Sequence, residues 1–246
     1  MAWLLPIVAF LIGSIPFGLL IAKSKGIDIR SSGSGNIGAT NVFRVIGKGP
    51  GIFCLFLDLL KGFIPVLLTV NLVRFGDDTA IINAPALTQL TTAFPESDQL
   101  KVQLIQVLSA LAAILGHNYS PWLGFKGGKG IATTGGALLG LMPFVLLTLI
   151  LIWIVVTRVT RYVSIASITT GIALPILTHV GTRYHHVDDN NKTSPTLWES
   201  GTWNKPLFFF ALFAGLMAVW KHRSNIKRLL DGTENRISRK KEKKPA

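Results

Sequence analysis

Residues Ile131–Thr157 read IATTGGALLGLMPFVLLTLILIWIVVT, and the way this run meets a bilayer decides the topology of the chain. It carries no charge, and Gly135, Gly136, Gly140 and Pro143 fall in its first half. Both flanks are basic, with Lys126 and Lys129 before it and Arg158 and Arg161 after it. About 20 apolar residues cross a bilayer as one helix, so its length alone fits a single crossing. Basic flanks stay on the cytoplasmic side, and a run that is basic at both ends obeys that rule only by going in and coming back. A broken hairpin returning near Pro143 is therefore expected, with its irregular backbone covered by protein, because lipid cannot satisfy bare peptide groups.

Five further apolar runs lie around it: Leu4–Ala22, Ile52–Val73, Leu104–Leu115, Val163–Val180 and Pro206–Trp220. Hydrophobic residues make up 49% of the 246, charged residues only 15%, and the mean hydropathy is +0.47. That excludes disorder, and a single cysteine, Cys54, excludes a disulfide scaffold or a zinc ribbon. The net charge of +13 would suggest nucleic acid in a soluble chain, but here it sorts by segment. The stretches 23–49, 126–129, 158–161 and 221–246 hold 19 basic and four acidic residues; 74–103 and 181–205 hold five basic and seven acidic. The N-terminus is thus expected outside and the C-terminus in the cytoplasm, which needs an odd number of crossings. With the broken hairpin the reading is an all-α polytopic membrane protein of about seven transmembrane helices, some short or broken; five is the alternative, if one late run does not cross. The lysines Lys23 and Lys25 follow the first run, and no small-x-small site lies near Ala22, so that run is expected to remain as a helix rather than leave as a signal peptide. No internal repeat is evident, which argues against a repeat-built transporter.

Three basic or polar segments fall on the predicted cytoplasmic side. The first is Ser31–Arg44, with GxGxxG at Gly33, Gly35 and Gly38 and Asp58 twenty residues further on. A dinucleotide fingerprint must follow a strand and open a helix in a parallel sheet; here a membrane helix precedes it, so that reading fails. What stays is a small-residue concavity with Ser34, Asn36, Thr40 and Asn41, suited to an anion, and Arg44, whose guanidinium can fork onto phosphate. The second is Gly116–Thr133, containing Lys126, Gly127, Gly128, Lys129 and Gly130 ahead of a helix start. It is not a Walker A sequence, but glycine amides, two lysines and a helix N-terminus favour phosphate by the same physics. The third is Trp220–Glu234, where His222 and Asn225 share one helix face and Gly232 is a stop signal. Asp58 and Lys61, at i and i+3 inside the second run, are expected first of all to be a structural ion pair, and a catalytic role is the second reading. Ser164 and Ser167 sit just past Arg161, where hydroxyls most often bond to helix backbone.

Together SGSGNIGATNVFR, GHNYSPWLGFKGGKGIAT and HRSNIKRLLDGTE, with DLLKG at 58–62 between them, resemble the bacterial acyl-phosphate:glycerol-3-phosphate acyltransferase (PlsY) family over nearly the whole chain. The outer loops 74–103 and 181–205 look longer than that family's. The resemblance implies transfer of a fatty acyl group from acyl phosphate to the sn-1 hydroxyl of glycerol 3-phosphate, giving lysophosphatidic acid in the first step of phospholipid synthesis. It assigns catalytic roles to Ser34, Arg44, His222 and Asn225. Substrate contacts are expected at Gly33, Asn36, Thr40, Asn41, Lys126, Gly127, Gly128, Lys129, Gly130 and, on a short SIAS match, Ser167; Glu234 matches a structural acid. Residues 1–235 would form the integral-membrane enzyme and 236–246 a basic, disordered tail. No cofactor, metal or nucleic acid is implied. The expected partners are the two substrates and membrane lipid, with the acyl-phosphate-producing enzyme as a candidate, in the bacterial plasma membrane with the site facing the cytoplasm.

Acyl phosphate is already activated, so positioning and charge stabilisation suffice. Arg44, Lys129 and the loop amides are expected at the acceptor's phosphate, and His222 and Asn225 at the acyl phosphate. No histidine has the aspartate five positions on that other glycerolipid acyltransferases use, so the base is either a substrate phosphate oxygen or His222. A transporter of anions and a lipid-binding scaffold are the competing classes; the first would place its site at mid-membrane between repeats, and the second would work through the basic tail.

Overall fold

The computed structural model describes residues 1–75, 82, 87, 89–185 and 201–237. The helices are α1 (Leu5–Gly13), α2 (Phe17–Lys23), α3 (Ala39–Val45), α4 (Lys48–Leu72), α5 (Gln99–Asn118), α6 (Ile131–Leu141), α7 (Pro143–Thr160), α8 (Val163–His185), α9 (Gly201–Lys221) and α10 (Arg223–Leu230). Among the described residues five stretches are long and apolar enough to cross a membrane: Ala2–Lys23, Lys48–Leu72, Gln99–Leu123, Pro143–Thr160 and Val163–Gly181. The helix Ile131–Leu141 is apolar but shorter. The all-helical polytopic reading holds, with one small addition: Val73–Phe75 (β1) pairs in parallel with Thr92–Phe94 (β2), Val73 opposite Thr92.

The first run is not one continuous helix. It breaks at Ser14–Pro16, because Pro16 has no N–H to continue the ladder. The carbonyls freed there find distant donors: Ser120 Oγ donates to Ser14 O at 2.7 Å, and Lys61 Nζ to Ile15 O at 2.8 Å. Close helix contacts run through glycines. A Cβ on Gly13 would collide with the Ala113 carbonyl across α1 and α5, and one on Gly136 with the Leu59 carbonyl across α4 and α6. Small residues let backbones approach where lipid offers no hydrophobic drive.

The 131–157 run is broken where the sequence places the break. Helices α6 and α7 meet at Met142, immediately before Pro143. Their far ends lie at one end of the bundle: Lys129, before α6, reaches Asn225, and Arg161, after α7, is bonded to Ile237 in the segment that follows α10. The run thus folds back on itself. The main apolar cluster joins Val66 of α4, Ile114 of α5, Leu138 of α6, Leu146 of α7, Leu174 of α8 and Phe210 of α9. Much of the expected outer loops (76–81, 83–86, 88 and 186–200) lies outside the described residues, as does the tail from 238. Arg236 and Ile237, placed in the tail by sequence, are instead seated: Arg161 donates twice to Ile237 O, Ile237 N–H returns a bond to Arg161 O, and Arg236 lies over the Tyr162 ring.

Candidate functional site

The glycine-rich turn at 29–38 has no regular structure of its own, and one buried amide organises it. Asn41, in the first turn of α3, donates through Nδ2 to the carbonyls of Ser32 at 3.0 Å and Asn36 at 2.9 Å and lies 3.3 Å from that of Ile29; its Oδ1 accepts the Ser34 N–H at 2.9 Å. Asn36 Oδ1 accepts the Gly38 N–H, which leads into α3. This turn presents Ser34, Asn36 and Thr40 to a cavity, and one helical turn beyond Thr40 stands Arg44. Among the described residues the Arg44 guanidinium makes no hydrogen bond, so its fork is open to a ligand.

The second segment caps α5. Gly127 N–H donates to Asn118 O at 3.2 Å and Gly128 N–H to His117 O at 3.0 Å. Helix-end carbonyls need such donors, and these two amides are therefore not available to a phosphate. Gly128 lies against the Nε2 edge of the His117 ring, where a Cβ would collide with that nitrogen. The turn ends at Gly130 in the left-handed region, φ +78°. From there α6 starts, and its first residues, Ile131 and Ala132, line the cavity beside Lys129.

The third segment carries a chain of polar contacts. Lys129 Nζ donates to Asn225 Oδ1. Asn225 Nδ2 donates to Glu234 Oε1 at 2.6 Å, and Arg228 Nε to Glu234 Oε2 at 2.7 Å. Burial alone would raise the Glu234 carboxyl, but the hydrogen bonds from Asn225 and Arg228, with the Ser164 hydroxyl nearby, outweigh it and hold the group below the usual carboxylate range. Lys129 is pushed down to about 8, by burial first and then by the cations Arg228, Arg44 and Lys221, with Glu234 opposing. His222 Nδ1 sits 2.7 Å from Ala218 O. A carbonyl only accepts, so Nδ1 carries the proton and Nε2 is the ring's acceptor. Burial, then the charge on Lys129, lower His222 to about 4, so the ring is neutral near pH 7.

These three segments line one cavity of about 410 Å³. Its polar end holds Ser34, Arg44, Lys129, His222 and Asn225, and its apolar limb runs inward between α6, α7, α8 and α9 past Leu138, Leu146, Leu149, Trp153, Leu174 and Ala214. Ser167 lies on this limb, buried, with the Trp153 indole N–H 3.4 Å from its hydroxyl. Of the expected site residues, Ser34, Asn36, Thr40, Asn41, Arg44, Lys129, Gly130, Ser167, His222 and Asn225 line the cavity; Gly33, Lys126, Gly127 and Gly128 do not. Lys126 is exposed on the outer side of its turn. Gly33 packs against the Asn41 amide. The cavity also exposes two buried groups to which the sequence reading gave no substrate contact, Asp58 and His117. The available signal was an ionisable residue at membrane depth, which marks a functional site by default.

The chain has known relatives. A family model described as glycerol-3-phosphate acyltransferase matches residues 3–232. A curated relative named glycerol-3-phosphate acyltransferase from Desulforamulus reducens is 41% identical over 234 residues, covering 95% of this chain and 94% of the relative. One of the same name from Aquifex aeolicus is 38% identical over 236 residues, covering 96% and 99%. Among solved structures, the fold is similar to PlsY, an integral membrane glycerol 3-phosphate acyltransferase, in its glycerol 3-phosphate form, with 37% identity, TM-score 0.74 and 96% of both chains covered. Its lysophosphatidic acid form gives 36% identity, TM-score 0.72 and coverage of 96% and 95%.

Proposed function

Because the chain belongs to the glycerol-3-phosphate acyltransferase family, we propose that it moves a fatty acyl group from acyl phosphate to the sn-1 hydroxyl of glycerol 3-phosphate, releasing lysophosphatidic acid and inorganic phosphate. The observation that carries this is the shape and chemistry of the cavity: a cationic, glycine-lined end continuous with an apolar limb. Two phosphates fit the first and a fatty chain fits the second. The uneven distribution of basic residues supports a site on the cytoplasmic face of a bacterial plasma membrane.

Arg44 and Lys129 come from different segments, and the charge on Arg44 helps to lower Lys129. A phosphate between them relieves that repulsion, and the first amides of α6 add donors with the favourable end of the helix dipole. Cationic Lys129 leaves Asn225 for the phosphate, and Asn225, still held by Glu234, turns its carbonyl or amide to the second substrate. Neutral His222, fixed through Nδ1, accepts a hydrogen bond from the attacking hydroxyl at Nε2. The hydroxyl oxygen bonds to the acyl carbon, the acyl–phosphate bond breaks, and the hydroxyl proton ends on the leaving phosphate. With a pKa near 4, His222 orients the hydroxyl rather than holding its proton at neutral pH. Ser34 supplies a hydrogen bond; among the described residues its hydroxyl is bonded to no base that would make it a nucleophile.

The test is an assay of purified protein with glycerol 3-phosphate and acyl phosphate, acyl-CoA or acyl carrier protein offered separately. Turnover with acyl phosphate alone, and loss of saturation by glycerol 3-phosphate in Lys129→Ala, are expected. Turnover with a thioester but not with acyl phosphate would overturn the donor assignment.

A further inference from the structure

Beneath the Lys129 turn lies a set of buried polar groups that the acyl-transfer scheme above does not use. Asp58 of α4 and His117 of α5 line the cavity, at 2% and 5% exposure. Asp58 Oδ1 is ion-paired to Lys61 Nζ at 2.8 Å, and Lys61 also donates to Ile15 O, so the carboxylate is fixed in direction. The Cys54 thiol touches the other carboxylate oxygen at 3.7 Å. His117 lies against Gly128 on its Nε2 side, while Nδ1 faces Asp58 Oδ1 across 3.8 Å. That gap is too long for a direct hydrogen bond, and among the described residues Nδ1 has no hydrogen-bond partner. An unpartnered polar atom this deeply buried is costly, and here it borders a cavity rather than packed protein.

A hydroxyl oxygen about 2.8 Å from both groups closes a triangle over a 3.8 Å base with ordinary hydrogen-bond lengths. The carboxylate only accepts, so the hydroxyl donates to Asp58 Oδ1; the hydroxyl oxygen then accepts from His117 Nδ1–H. Every donor has an acceptor, and the arrangement is selective for an alcohol. A carbonyl oxygen in its place would leave Asp58 facing an acceptor, and a hydrogen atom would leave His117 Nδ1 unpartnered and Asp58 with Lys61 alone.

We propose that Asp58 and His117 bind the hydroxyl of the acyl acceptor that is not acylated, and so read the acceptor as a diol phosphate. The inference rests on the glycerol 3-phosphate reading and adds to it the pair of residues that sets acceptor choice. Such a site rejects an analogue lacking the hydroxyl because its own buried groups are left unsatisfied.

The experiment compares glycerol 3-phosphate with 3-hydroxypropyl phosphate, which keeps the reacting hydroxyl and the phosphate but lacks the second hydroxyl. It uses the full-length protein and acyl phosphate. Wild type is expected to favour glycerol 3-phosphate by roughly 10- to 100-fold in kcat/KM. In Asp58→Asn the preference should shrink to within about threefold, mainly through a weaker reaction with glycerol 3-phosphate. His117→Phe keeps the ring shape against Gly128 and removes Nδ1; it should narrow the preference in the same direction and stands in for Asp58→Asn if that variant does not fold. An equal loss on both acceptors would mean that these residues only support the fold or hold the reacting hydroxyl, and would overturn the proposal. So would an unchanged preference. Absence of turnover with glycerol 3-phosphate in wild type would remove the acceptor reading itself, and this inference with it.

Discussion

Two polar networks flank the cavity, and they differ in how far water reaches them. On the α4 side the Lys61 and Asp58 side chains are 2% and 3% exposed at 2.8 Å. On the α10 side Glu234 is 6% exposed, but its partner Arg228, at 2.7 Å, is 30% exposed. A sealed pair is tolerated only while both members are present, because a lone buried charge has no solvent to fall back on. A half-open pair gives little stability, yet it fixes the side chains it touches, here Asn225 and through it Lys129. The sealed network therefore belongs to the scaffold and to acceptor choice, and the open one to rate.

The largest expected effect tests the sealed side. Lys61→Met leaves Asp58 unpartnered and should lower stability by about 3–5 kcal/mol, read as a drop in Tm in detergent; pairing it with Asp58→Leu should recover most of that loss. If Lys61→Met were no less stable than Glu234→Gln, the contrast between the networks would fail. Lys129→Ala comes next, with kcat/KM expected to fall about 100- to 1,000-fold at nearly unchanged Tm. Glu234→Gln keeps the shape beside Asn225 but weakens its hold, and should cost roughly tenfold in rate.

A pH series sharpens the open side. Lys129 sits near 8, so it is cationic below that value and loses its charge as pH rises through it. KM for glycerol 3-phosphate should be flat below about pH 8 and climb up to tenfold per unit above it; Lys129→Arg should move that climb to higher pH. A limb that stayed in place in Lys129→Arg would assign the titration to another group. The smallest expected effect belongs to the apolar limb, where Ala214→Leu narrows the space beside Leu174 and should shift preference toward shorter acyl chains by several-fold.

How much of this is legible in the sequence follows from which contacts are local. The apolar runs and the break before Pro143 can be read directly, since lipid demands long apolar helices and proline ends a ladder wherever it falls. The break at Pro16 is harder to see, because it is tolerated only through Ser120 and Lys61, which lie far along the chain. The GGKG turn reads as an amide cradle, yet two of its amides cap α5; an unpaired helix end competes with a ligand for the same donors. Asn41 reads as a substrate contact; it lines the cavity, and most of its amide ties its own loop together. Asp58 reads as an ion pair, and it is one; that it also borders the cavity depends on how α4 is turned against α6, a rotation set by the contact of Gly136 with Leu59. Charge and glycine density locate the site, and helix packing decides which of its atoms are free.

The central claim is that cations from separate segments hold one phosphate in one pocket. A double-mutant cycle on Arg44 and Lys129, read in KM for glycerol 3-phosphate, tests it most directly. The expected result is that each single alanine variant raises this KM, with KM for acyl phosphate little changed, and that the double variant departs from the product of the two effects by about threefold or more. Effects that multiply cleanly, or one variant that weakens only the acyl donor, would place the two cations on different groups and contradict the account.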